Sequence, residues 1–180
     1  MQENKFLTSK AALITLLIGC FIVSVSMGIR QTYGLFFQFF ENDLNISNTF
    51  FGLAIGVQAI VWGVFATIFG IIADKYGANK VTIVALFIYA FGIYALGNLN
   101  STGFLFQLNL GIFVGIGLGG AAAPIIVPTV TKHFPNHNRA KAAGLVTASA
   151  SVGMFLYPIL SSTLFKYYEW ENVFTIYVFI

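Results

Sequence analysis

Arg30 stands roughly 20 residues into an apolar run that opens near residue 11, and no Asp or Glu lies inside that run or any other apolar run of the chain. A charge at such depth costs on the order of 3 kcal/mol on insertion scales, so it faces a cavity or a partner unless it escapes to the headgroups. Helical spacing puts Val23, Ser26, Met27, Arg30, Tyr33, Gly34 and Phe37 on one face. That face carries a cation, a phenol, a hydroxyl, a small residue and an aromatic, which suits an anion better than lipid. A carboxylate would meet the guanidinium in a bidentate pair. The competing reading is that Arg30 snorkels outward along its own helix. Gln58 shares a face with Phe51, Trp62 and Phe65; it either looks into the same cavity or bonds a neighbouring helix. Gln107 and Asn109 are expected near the membrane interface, and Tyr157, beside Pro158, either packs or lines the path.

Two other constellations fail on context. "GIGLGG" (115–120) fits a dinucleotide fingerprint, but it has no strand before it and no acid about 20 positions on. "HFPNH" (133–137) spaces two histidines, yet Pro135 disfavours a helix there and no further histidine exists. No nucleophile–base pair is visible, and Cys20 is the single cysteine. No enzyme, no cofactor, no metal and no nucleic acid is expected.

The elements that must position Arg30 follow from composition. The chain is 58% hydrophobic and 8% charged, whereas a soluble domain is about 25% charged. It reads as an all-α membrane protein with five full spans, at about 11–40, 49–73, 81–97, 104–130 and 142–165; a sixth starts near 172. Continuous apolar runs without two-residue alternation indicate helices rather than a barrel. The first run is too long for the core of a cleaved signal and is expected to be retained. Lys5, Lys10, Lys75, Lys80, Lys132, Arg139 and Lys141 collect on one side, and Glu41, Asp43, Glu169 and Glu171, with Lys166 as the one basic residue, on the other. Basic loops stay cytoplasmic, which predicts a multi-pass protein of the cell membrane with a cytoplasmic N-terminus.

Small residues form stripes: Gly52, Gly56, Ala59, Gly63, Ala66 and Gly70 in the second run, Gly111, Gly115 and Ala122 in the fourth, and Ala140, Gly144, Ala148 and Ser151 in the fifth. Such stripes are expected to be helix-packing faces, because small side chains let helices approach where water cannot drive association. Pro124 and Pro128 are expected to bend the end of the fourth helix.

Between the second and third runs stands "GIIADKYGANK" (70–80), with Gly70, Asp74, Lys75, Gly77 and Lys80. Gly77 is expected to supply the turn of a short connector. This stretch resembles the loop signature between helices two and three of the major facilitator superfamily. "GIRQTYGLFF", "GIFVGIGLGGAAAPIIVP" and "NRAKAAGLVTASASVGMFLYPIL" followed by Trp170 are similar to bacterial members related to monocarboxylate porters. The resemblance implies a twelve-helix fold in two halves with one cavity between them, this chain being the N-terminal half, cut within helix six. It implies that Gly70, Asp74, Lys75, Gly77 and Lys80 form a latch against the other half, weakened where Asn79 replaces a basic residue. Many proton-driven members have an arginine early in helix four, where Gly111 falls here, and the glycine–proline signature of drug antiporters is missing.

The resulting expectation is a secondary active transporter moving a small, monocarboxylate-like organic anion by alternating access, with possible proton coupling through a carboxylate elsewhere. Arg30, Tyr33, Ser26 and Gln58 are the candidate substrate-binding residues; the lipid bilayer and a C-terminal six-helix half are the other partners. The rival readings are a non-transporting half that acts as a membrane interaction protein, and a carrier of another small solute.

Overall fold

A computed structural model describes residues 10–98 and 103–180; Lys5 and the uncharged loop beyond Asn98 therefore fall outside the described residues. The chain forms α1 (Lys10–Leu44), α2 (Asn48–Tyr76), α3 (Ala78–Asn98), α4 (Gly103–Thr131), α5 (Asn136–Leu164) and α6 (Trp170–Val178). The first five are each long and apolar enough to cross a membrane. Several helices outrun their apolar segments: α1 has 35 residues and carries Glu41 and Asp43 in its last turns. Helical hydrogen bonding continues past the last apolar residue until the backbone meets a residue that can turn.

Asn45 provides that turn, with φ 54°, a left-handed conformation that asparagine tolerates better than most residues. Ser47 then caps α2, its hydroxyl accepting from Phe50 N at 3.3 Å. Between α2 and α3 the connector is Gly77 alone. Its φ of 94° and its N–H bond to Ala73 O at 2.9 Å let two long helices reverse within one residue.

α4 is not one regular helix. Residues Gln107–Phe113 wind as a π-helix, and the backbone becomes extended at Ala122, φ −92° and ψ 170°. Pro124 explains the break, because it lacks the N–H that Gly120 O would accept. Ile125 N turns to Ala122 O at 3.2 Å, which leaves Ala121 O free as well. Both buried carbonyls find hydroxyls: Thr82 Oγ donates to Gly120 O at 3.2 Å and Ser26 Oγ to Ala121 O at 3.3 Å. The break thus lies earlier in the helix than the bend expected near its end.

Packing is organised around the glycines of α4. A Cβ at Gly115 would sit 3.0 Å from Gln58 O, and one at Gly119 2.8 Å from Phe65 Cβ, so this side of α4 touches the backbone of α2. On the other side a Cβ at Gly117 would come within 2.6 Å of Tyr89 Cα of α3. The dinucleotide-like run is therefore a two-sided packing seam. α1 and α5 cross equally closely: a Cβ at Gly153 would overlap Ser24 O, and one at Gly28 would overlap the Tyr157 ring. Tyr157 is buried packing at this crossing. α6 docks on α1 through rings, Phe36 on Phe174 at 4.2 Å and Phe40 edge-on to Trp170 at 5.5 Å. Trp170 Nε1 also donates to Asp43 Oδ2 at 2.7 Å.

Gly111 packs as expected, since a Cβ there would lie 3.1 Å from Val57 Cγ1. Gly52, Gly56, Gly63 and Gly144 do not. Each is exposed, with no atom within 4 Å of a Cβ built there. The physical reason is which face of α2 turns inward: Ala54, Gln58 and Phe69 are buried, so the glycine stripe points away from the bundle. Gly70 is looser than expected, with Ile125 Cδ1 3.9 Å from a Cβ at that position.

Candidate functional site

Arg30 projects from the middle of α1 toward α2, where Gln58 and Trp62 occupy successive turns of one face. Arg30 Nε donates to Gln58 Oε1 at 3.2 Å, and the guanidinium carbon lies 5.5 Å from the centroid of the Trp62 ring. The guanidinium is thus held sideways, by a neutral dipole and an aromatic face, and does not run out along its own helix. Its two Nη groups make no hydrogen bond among the described residues.

Gln58 is fully buried, and its amide is oriented by both neighbours. The oxygen faces the cation, and Nε2 donates to Leu110 O at 3.0 Å. The π-helical turn accounts for that acceptor. Val114 N–H, which would reach Leu110 O in an α-helix, bonds Asn109 O instead. Gln58 thus bonds a neighbouring helix, one of the two readings left open for it, and it also holds the charged group.

Tyr33 is buried one turn from Arg30, and its hydroxyl has no hydrogen-bond partner among the described residues. The Tyr89 hydroxyl and the Gln58 amide approach it without reaching good hydrogen-bond geometry, and the Arg30 charge acts on it. Buried hydroxyls are rarely left unpaired, so this one stands out within the bundle. Ser26 is placed differently from expectation. It is 1% exposed and its hydroxyl serves Val23 O and Ala121 O, while its own carbonyl accepts from Tyr89 OH at 3.0 Å. Its hydroxyl is occupied by the broken backbone of α4. The structure therefore gathers Arg30, Tyr33 and Gln58, adds Trp62, and assigns Ser26 to the scaffold.

Gln107 is half-buried and Asn109 buried within the bundle. Gln107 Nε2 donates to Phe50 O at 2.9 Å, and Asn109 is 4% exposed. Trp62 was readable as a partner for Arg30 from its place one turn beyond Gln58. Nothing local in sequence announced Tyr89 or the Leu110 carbonyl.

The arrangement offers a fixed guanidinium edge, a buried unpaired phenol and no acid, in a bundle with enough apolar length to cross a bilayer. The family model of the Major Facilitator Superfamily matches residues 16–180. The chain belongs to the Major Facilitator Superfamily. Members of this superfamily are transporters, not enzymes. The chain is 29% identical to an uncharacterized MFS-type transporter of Methanocaldococcus jannaschii over 137 residues, covering 76% of this chain and 34% of the relative. It is 33% identical to monocarboxylate transporter 9 of Rattus norvegicus over 95 residues, 53% of this chain and 18% of that one. With the hexuronate transporter of Bacillus subtilis it shares 29% over 126 residues, 69% of this chain and 29% of the relative. The matches thus span about a third of those proteins or less. No solved structure gives a significant match.

In this superfamily member the loop residues Asp74, Lys75 and Lys80 are exposed around the Gly77 turn. Lys75 Nζ lies 5.1 Å from the ring of its neighbour Tyr76. The loop charges therefore point away from the bundle.

Proposed function

We propose that this chain forms one wall of a secondary active transporter that moves a small organic anion, monocarboxylate-like in size, by alternating access. The observation that carries the reading is the Arg30 guanidinium, fixed by Gln58 and Trp62 with its Nη groups free. Those groups are the pair of parallel donors a carboxylate accepts. Two of the named relatives, the monocarboxylate and hexuronate transporters, carry carboxylates by their names, which supports the class. Tyr33 and Gln58 serve the same anion, Gln58 by holding the guanidinium and Tyr33 by its unpaired hydroxyl.

In this proposal a second six-helix half packs on the exposed small faces of α2 and α5, at Gly52, Gly56, Gly63 and Gly144. Asp74 and its neighbours around Gly77 latch that half from the cytoplasmic side. The membrane is the cell membrane and the N-terminus is cytoplasmic, in line with the placement of the basic residues. If uptake is proton-coupled, the carboxylate that carries the proton lies in the other half, since the apolar runs here hold none.

Counterflow in proteoliposomes with full-length protein and a panel of short carboxylates, with and without a pH gradient, tests the class and the coupling. Arg30→Gln should abolish uptake while leaving membrane insertion intact. Unchanged uptake in that variant would remove Arg30 from the site.

A further inference from the structure

α1 has two exposed faces of different chemistry. Toward its Lys10 end the exposed residues are Ile14, Leu17, Ile18 and Phe21, as lipid demands. Beyond Arg30 they include Gln31, Gly34 and Gln38, with Leu35, 41% exposed, on the edge between the two sets. At 100° per residue the centres of the two sets lie roughly 115° apart, so the amides do not continue the lipid face. They flank Arg30 on the side where Gly34 leaves open space, with no atom within 4 Å of a Cβ there. Neither amide has a hydrogen-bond partner among the described residues. A side-chain amide with nothing to bond is costly in hydrocarbon. This face therefore suits water or a polar surface better than acyl chains.

We infer that Gln31, Gly34 and Gln38 line the solute path on α1, and that Gln31 is a specificity-determining residue that bonds an oxygen on the body of the anion. The selectivity part rests on the reading of Arg30 as the carboxylate site. With the carboxylate on the Arg30 Nη edge, the adjoining carbons pass Gln31 and the notch at Gly34. An amide both donates and accepts, so it suits a hydroxyl or a carbonyl oxygen and gives nothing to an alkyl chain. Gln38 lies about 10 Å further along the axis from Gln31, too far for the same small solute, and belongs to the approach.

The test has two independent arms on the full-length protein in liposomes. In a Cys20→Ser background, Gln31→Cys, Gln38→Cys and Leu17→Cys are exposed to a charged, membrane-impermeant thiosulfonate. The reagent needs a hydrated thiolate, so labelling at 31 and 38 should be at least several-fold faster than at 17. Equal rates would overturn the water-facing wall whatever the protein carries. In counterflow, Gln31→Leu should lose about tenfold of the preference for a hydroxylated over an alkyl carboxylate of equal length, the worth of one hydrogen bond. Gln31→Asn should restore part of that preference, which separates selectivity from damage to folding. A uniform loss for both acids would overturn the specificity role. If the parent protein moves no carboxylate at all, the anion reading falls together with the selectivity claim, and the labelling arm still judges the wall.

Discussion

The glycines of α4 and those of α2 are the same residue put to opposite uses. In α4, Gly115, Gly117, Gly119 and Gly120 are buried, and a Cβ at any of them would meet α2 or α3 at 3.0 Å or less. In α2, Gly52, Gly56 and Gly63 face outward with open space around them. The first set closes this bundle upon itself; the second leaves a smooth flank that the bundle does not use. A polytopic chain without an oily reason to hide small residues has no need to line up glycines on an outer face. The contrast therefore separates glycines that make contacts within this bundle from glycines that make none among the described residues.

The largest effect expected from that contrast is the difference between Gly117→Val and Gly56→Val. At Gly117 the obstruction is Tyr89 backbone, 2.6 Å from the new Cβ, and backbone cannot step aside as a side-chain tip does. We expect Gly117→Val to cost about 3 kcal/mol, seen as loss of a monodisperse, cooperatively melting protein in detergent. Gly56→Val should leave the melting of this bundle within about 0.5 kcal/mol of the parent, since nothing is there to clash. Its effect should appear in uptake by the full-length protein, because the valine roughens the flank. Equal destabilisation by the two substitutions would break the comparison.

These cases show what was legible in sequence and what was not. The spans were legible because apolar length is a local property, and the Gly77 turn because a one-residue reversal between helices demands a special φ. Arg30 stood out because charge inside an apolar run is rare. The direction of a glycine stripe was not legible. Both stripes have helical spacing, and only tertiary packing decides which one meets a neighbour. The hydroxyl bond of Ser26 was not legible for the same reason: its acceptor, Ala121 O at the break before Pro124, lies 95 positions downstream. The Asp43–Trp170 bond spans 127 residues and has no local signature. The π-helical turn that presents Leu110 O to Gln58 likewise follows from how α4 fits between α2 and α3.

A middle-sized effect sharpens the account of why α4 can be so closely packed and still broken. Thr82→Ala leaves Gly120 O buried without its donor, and Ser26→Ala does the same to Ala121 O. Each should cost about 1–2 kcal/mol, the penalty of an unsatisfied buried carbonyl. Because neighbouring carbonyls share one break, the double variant should differ from the sum of the singles, and a double-mutant cycle on thermal melting measures the difference. Strict additivity would mean that the two hydroxyls do not support a common element.

The smallest effect belongs to Asp74, which stands to the loops as Gly56 stands to the helices: exposed and without a partner among the described residues. The carbonyl end of α2 disfavours an anion there, while the amide end of α3, beginning at Ala78, favours one. At an exposed site in the last turn of α2 this effect is worth only a few tenths of a kcal/mol. Asp74→Asn should therefore change the melting of this bundle by less than about 0.5 kcal/mol in either direction. A loss well above that would mean that the carboxylate already has a partner inside this half. No loss of stability combined with a fall in uptake by the full-length protein would mean that its partner lies outside this bundle.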